Sequence, residues 1–79
     1  MSRSVMKIRI YSRQGCHLCD HAIDLVQSLR DDSEVVDVDS DPELIAQYGH
    51  RVPVVEIDGQ LVLEGRIDER NVRRVLAEH

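Results

Sequence analysis

Gly15-Cys16-His17-Leu18-Cys19 holds both cysteines of the 79-residue chain, two residues apart, where a strand-like run hands over to a helix-like one. Upstream, Met6, Ile8 and Ile10 alternate with Val5, Lys7, Arg9 and Tyr11, the period of a half-buried strand. Downstream, Leu18, Ala22, Leu25, Val26 and Leu29 form one stripe of a helix ending near Arg30. The polar loop Ser12-Arg13-Gln14-Gly15 joins the two. The cysteines therefore open a helix. A sulfur at Cys16 then faces backbone N–H groups that lack intrahelical partners and the positive end of the macrodipole, which favours the nucleophilic thiolate. Cys19 returns beneath it one turn later, within reach of a disulfide whose Cα atoms stand about 5.5 Å apart. The spacing suits a nucleophile with its resolving thiol. It also writes half of a zinc site.

The remaining chain supplies five more segments. Val35, Val36 and Val38, with Asp37 and Asp39 interleaved, form a short strand. Asp41-Pro42 is a helix cap followed by proline at the first helical position, Leu44, Ile45 and Tyr48 are the apolar side of a short helix, and Gly49 stops it. Val52-Pro53 introduces a third strand over Val54–Ile57, and Asp58-Gly59 is a two-residue hairpin turn into a fourth over Leu61–Leu63. Gly65 ends that strand, and Asp68 caps a last helix whose Val72, Val75 and Leu76 face the sheet. The order βαβαββα makes the first two strands parallel through a right-handed crossover and adds the hairpin antiparallel on the other side of the first strand. The expectation is an α/β fold, a four-stranded mixed sheet with helices on both faces. Met6, Ile8, Ile10, Val36, Val38, Val55 and Ile57 are expected on the face under the first and last helices. Lys7, Arg9, Asp37 and Glu56 are expected on the other, pairing across strands. Glu56 stands out as an acid mid-way along a central strand. Tyr11 and Tyr48 read as packing residues with solvated hydroxyls.

The length fits one domain, residues 1–79, burying about 60% of its unfolded surface. Phe and Trp are absent, so the core is aliphatic. A formal net charge of −5, with no basic cluster longer than Arg73-Arg74, excludes a phosphate-backbone footprint, and neither nucleic acid nor an anionic membrane is expected as a partner. The basic start, Met1 to Lys7, is followed by no apolar stretch of signal-peptide or membrane-spanning length, so a cytoplasmic location is expected; separately, a monomer is expected. Thiols are kept reduced there, and a lone CxxC reads as catalytic or metal-binding before structural.

Three features converge: CxxC at a strand–helix junction, Val52-Pro53 before the third strand, and Gly65-Arg66-Ile67-Asp68 before the last helix. Together they resemble the glutaredoxin branch of the thioredoxin fold, over nearly the whole chain from Val5 to Leu76. Tyr11-Ser12-Arg13-Gln14-Gly15-Cys16-His17-Leu18-Cys19-Asp20 is similar to a group of small bacterial glutaredoxin-like proteins. The resemblance implies that Cys16 is the nucleophile, Cys19 the resolving thiol and Pro53 a cis-proline facing the site. It further implies that Val52 offers backbone N–H and C=O to an extended thiol substrate, that Arg13 lies near a glutathione carboxylate, and that Gly65 and Asp68 contact the γ-glutamyl end. Four positions depart from the glutaredoxin pattern. His17-Leu18 replaces Pro-Tyr between the cysteines, Arg51 replaces a threonine before Val52-Pro53, and Glu64 replaces the first glycine of a pair.

His17 reads as an exposed neighbour whose protonated form helps to hold a Cys16 thiolate, His21 as helix surface, and Arg13 and Arg51 as either anion contacts or solubilising charges. The function expected is thiol–disulfide oxidoreduction on a protein disulfide or a glutathione mixed disulfide. Glutathione would be a co-substrate, with no resident metal or cofactor. Two alternatives use the same residues: a small metal or iron–sulfur carrier built on Cys16 and Cys19, and a thioredoxin-fold adaptor without turnover.

Overall fold

The structure, a computed structural model, describes residues 6–78. Its elements are β1 (Ile8–Ser12), α1 (His17–Leu29), β2 (Glu34–Asp37), a 3₁₀ turn (Val38–Ser40), α2 (Pro42–Tyr48), β3 (Val54–Ile57), β4 (Gln60–Glu64) and α3 (Glu69–Glu78). Val5, expected in the first strand, lies outside the described residues. The sheet order is β2-β1-β3-β4, with β1 parallel to β2 and antiparallel to β3, and β3 antiparallel to β4. This is the mixed four-stranded sheet that the element order implied.

Local chemistry accounts for the boundaries. The Asp41 side chain accepts the Glu43 N–H and Pro42 begins α2; Asp68 accepts the Asn71 N–H at 2.8 Å at the start of α3. Asp58 and Gly59 both take positive φ, 54° and 83°, the pair of left-handed residues that a tight hairpin with the strands' own twist requires.

A larger, aliphatic core lies under α1 and α3, where Ile8, Ile10, Val55 and Ile57 meet Ala22, Val26, Val72 and Val75. A smaller cluster on the opposite face gathers Tyr11, Val38, Tyr48 and Val54 under α2. β3 is buried along its whole length, on both faces.

Four expectations are corrected here. β2 pairs in the register Arg9↔Glu34 and Tyr11↔Val36, which sends Val36 to the α2 side rather than to the larger core; Val38 joins it there because the chain has left the strand for a 3₁₀ turn. Val35 takes the vacated side at the sheet edge and stays 42% exposed. Asp37 does not pair with a strand cation, because its carboxylate caps the 3₁₀ turn by accepting the Asp39 N–H at 2.9 Å, and Arg9 pairs with Glu34 at 3.0 Å instead. Lys7 meets Asp58 through its backbone N–H, at 3.0 Å. In α1, Leu18 is 45% exposed: it sits in the first turn between the cysteines, while the apolar stripe runs through Ala22 and Val26.

The fourth correction concerns the tyrosines. Their hydroxyls are not solvated: Tyr11 Oη donates to Glu56 Oε1 at 3.0 Å and Tyr48 Oη to Glu56 Oε2 at 2.6 Å. Their rings lie 4.9 Å apart at 43°. Glu56 is only 8% exposed, and this pair of donors is what makes a carboxylate tolerable there. Hydrogen bonds to a charged group each contribute about 1.5–3 kcal/mol, against a larger cost for a buried charge left without partners.

The tyrosines report on this arrangement. The bond to Glu56, then burial, pushes the Tyr48 phenol up to about 12; burial, then Glu56, raises Tyr11, with Arg9 opposing. A raised value means that the folded state holds the phenolic proton. In a spectrophotometric alkaline titration the chain's two tyrosines should therefore ionise later than the ordinary value of 10.0 while the protein is folded, and return to about 10 in urea. Superimposable folded and unfolded curves would show that the hydroxyls do not hold the carboxylate.

Candidate active site

Cys16 is the residue that caps α1. Its backbone is extended (φ −100°, ψ 108°), and its Sγ accepts the Cys19 N–H at 3.2 Å. A sulfur thus takes the place that a serine or aspartate oxygen usually fills. The first turn is completed by Cys16 N–H donating to Arg13 O at 3.3 Å and Asp20 N–H to Cys16 O at 3.1 Å, with Gly15 at φ 80° turning the loop into the helix. Both cysteines are free; Cys16 is half-buried and Cys19 fully buried. Burial, then a hydrogen bond with the Cys16 sulfur, pushes the Cys19 thiol up to about 12, with a backbone bond at Arg13 opposing. The two sulfurs differ in environment: one is reachable at a helix start, the other is held protonated beneath it.

The other sequence-predicted residues divide into two groups. Val52, Pro53 and Gly65 come together: the Val52–Pro53 peptide is cis, Pro53 is buried, and Pro53 O accepts the Gly65 N–H at 2.8 Å where Gly65 turns at φ 73°. His17 is exposed as the first residue of α1. Asp68 is committed to capping α3. Arg13 is committed as well. Its Nη2 and Nε fork onto Asp39 (2.9 Å at the shortest), and Nη1 donates to Gly49 O at 3.2 Å. It fastens the β1–α1 loop to the end of α2. Among the described residues no group of three His, Cys, Asp or Glu side chains is gathered to hold a metal ion, and no helix is long and apolar enough to cross a membrane.

The family described as glutaredoxin-like domain (DUF836) matches residues 7–77. The chain belongs to that family. An uncharacterized protein of Mycobacterium tuberculosis is 30% identical over 80 residues, covering 90% of this chain and 82% of its own; a counterpart in Mycobacterium bovis matches equally. Among solved structures, a structural-genomics target protein from X. campestris superposes with a TM-score of 0.81 at 32% identity, over 91% of this chain and 97% of its own. A thioredoxin variant from Halobacterium salinarum gives 0.69 at 26% identity, over 92% and 73%. The fold of this glutaredoxin-like chain is the thioredoxin fold.

Two positions where the chain departs from the glutaredoxin pattern meet each other. Arg51 forks onto Glu64, Nη2 to Oε1 at 2.6 Å and Nε to Oε2 at 3.0 Å, and its guanidinium lies 5.9 Å from the Tyr48 ring centroid. Each side chain supplies the other's partner. Neither Arg13 nor Arg51 is a free surface cation. Reading the sequence alone missed Asp39, Glu64 and the tyrosine–glutamate set; the one available signal was Glu56 itself, an acid in a central strand.

The contrast between the sulfurs is measurable. At neutral pH, half-buried Cys16 in Cys19→Ser protein should react with iodoacetamide faster than fully buried Cys19 in Cys16→Ser protein. Equal rates at neutral pH would remove the distinction.

Proposed function

We propose that this glutaredoxin-like protein is a cytoplasmic thiol–disulfide oxidoreductase in which Cys16 is the nucleophile and Cys19 the resolving thiol. The observation that carries the reading is the asymmetry of the pair: an accessible Cys16 sulfur at the cap of α1, accepting the Cys19 N–H at 3.2 Å, over a buried Cys19. The Cys16 thiolate attacks one sulfur of a substrate disulfide, forms a mixed disulfide and releases the other sulfur as a thiolate, which takes up a proton. Cys19 loses its proton, attacks the Cys16 sulfur and expels the second substrate thiolate. Two electrons have passed to the substrate, and Cys16–Cys19 is left oxidised. An external thiol, glutathione or a protein dithiol, reverses the exchange and closes the cycle.

The backbone of Val52, beside cis-Pro53 and Gly65, is where an extended substrate would pair as an added strand. The substrate class is a disulfide in a protein, or one between a protein and glutathione. Arg13 serves this reading from behind the site, since its guanidinium is occupied by Asp39 and Gly49. Gly65 shapes the loop beside Pro53, and Asp68 supports α3.

The test is reduction of a disulfide-bonded peptide by purified protein in a glutathione buffer. Cys16→Ser should fall to the uncatalysed background. Cys19→Ser should accumulate a mixed disulfide on Cys16, and wild type should lose about 2 Da reversibly on oxidation. Full activity of Cys16→Ser would end the proposal.

A further inference from the structure

Glu56 is hydrogen-bonded to Tyr11 and Tyr48 rather than to either cysteine. It lies on the α2 face of the sheet, whereas α1, which carries the cysteines, packs on the other. Its two oxygens nevertheless reach both segments that build the site. Tyr11, held by Oε1, is in β1 and leads within five residues to Cys16. Tyr48, held by Oε2, is the last residue of α2 and leads directly through Gly49-His50-Arg51 into Val52-Pro53.

Contacts close by join the same two segments. Arg13 donates to Gly49 O at 3.2 Å, Arg51 N–H donates to Tyr48 O at 2.8 Å, and the Arg51 guanidinium lies over the Tyr48 ring while forking onto Glu64. An apolar side chain would fill a central strand without needing donors from two other elements, so stability alone does not call for a carboxylate here.

We infer that Glu56 is a positioning residue: one buried carboxylate, holding Tyr11 with one oxygen and Tyr48 with the other, fixes the Cys16 loop and the Val52–Pro53 loop relative to each other. The consequence for substrate rests on the oxidoreductase reading. Glu56 then governs how tightly an extended disulfide is held across the two loops, and leaves the intrinsic reactivity of the Cys16 sulfur alone.

Tyr48→Phe is the discriminating variant, because it deletes one hydroxyl and keeps the ring that packs on Tyr11 and under Arg51. Hydrogen exchange of the Arg51 amide, referenced to Ile10 in the aliphatic core, should accelerate by about fivefold or more as the loop is released locally. KM for a disulfide-bonded peptide should rise roughly 3- to 10-fold, while the rate constant of Cys16 with iodoacetamide stays within about twofold of wild type. Glu56→Leu, which offers neither hydroxyl a partner, should move the same quantities in the same direction.

Unchanged relative exchange and unchanged KM, with only a lower melting temperature, would overturn the inference and make Glu56 a core residue alone. An alkylation rate that falls with the rise in KM would also overturn it, by placing the effect on the sulfur. A wild-type protein that does not reduce the peptide would defeat the oxidoreductase reading instead, and the exchange measurement would still decide whether Glu56 ties the two loops.

Discussion

β1 and β3 occupy the middle of the sheet, and β3 is covered on both sides, so a polar group placed there must be met by partners from other elements. Glu56 is that group, and its demand organises the α2 half of the molecule. Tyr48 can satisfy it only if α2 ends where it does, and Tyr11 only if β1 holds the register that sets Arg9 opposite Glu56. The larger core could be rebuilt from other aliphatic side chains of similar volume. The smaller cluster, with one carboxylate between two phenols, admits few substitutes.

The site is built on the rims of these two layers. α1 lies on the aliphatic core through Ala22 and Val26 and presents Cys16 at its first turn. The loop ending in Pro53 leaves the cluster under α2 and is closed by Arg51–Glu64 and by Pro53 O to Gly65 N–H. Arg13 bridges the layers by reaching Asp39 and Gly49. Arg13, which reads in the sequence as either an anion contact or a solubilising charge, is an internal clamp between loops, and the exposed ion pair Arg51–Glu64 stands beside the proline loop.

What was legible in the sequence was local. The Asp41-Pro42 and Asp68 caps, the Asp58-Gly59 turn and the CxxC at a helix start are each written in a few neighbouring residues, and each appears where its chemistry requires. The register of β2 was not legible, because Val35-Val36 are both apolar and either can face inward; in the fold Val36 packs against the cluster under α2, with Arg9 meeting Glu34 and Asp37 capping the next turn. The commitment of Arg13 was hidden for a related reason: its partner Asp39 lies 26 residues away, and nothing near Arg13 announces it. Glu56 was visible as an anomaly, but its solution lies in two tyrosines from two other elements.

The sheet order also bears on how the chain assembles. Its β3–β4 hairpin closes over two residues and is the kind of unit that forms in about 1–10 μs, whereas β1 must find Glu34 at a separation of 25 residues and Glu56 at a separation of 45. Closing those longer loops costs entropy before any contact repays it. β1 is therefore the strand that joins the two halves of the sheet, parallel to β2 across the crossover on one side and antiparallel to β3 of the hairpin on the other. A chain emerging from its amino end cannot complete its centre until the hairpin has been made.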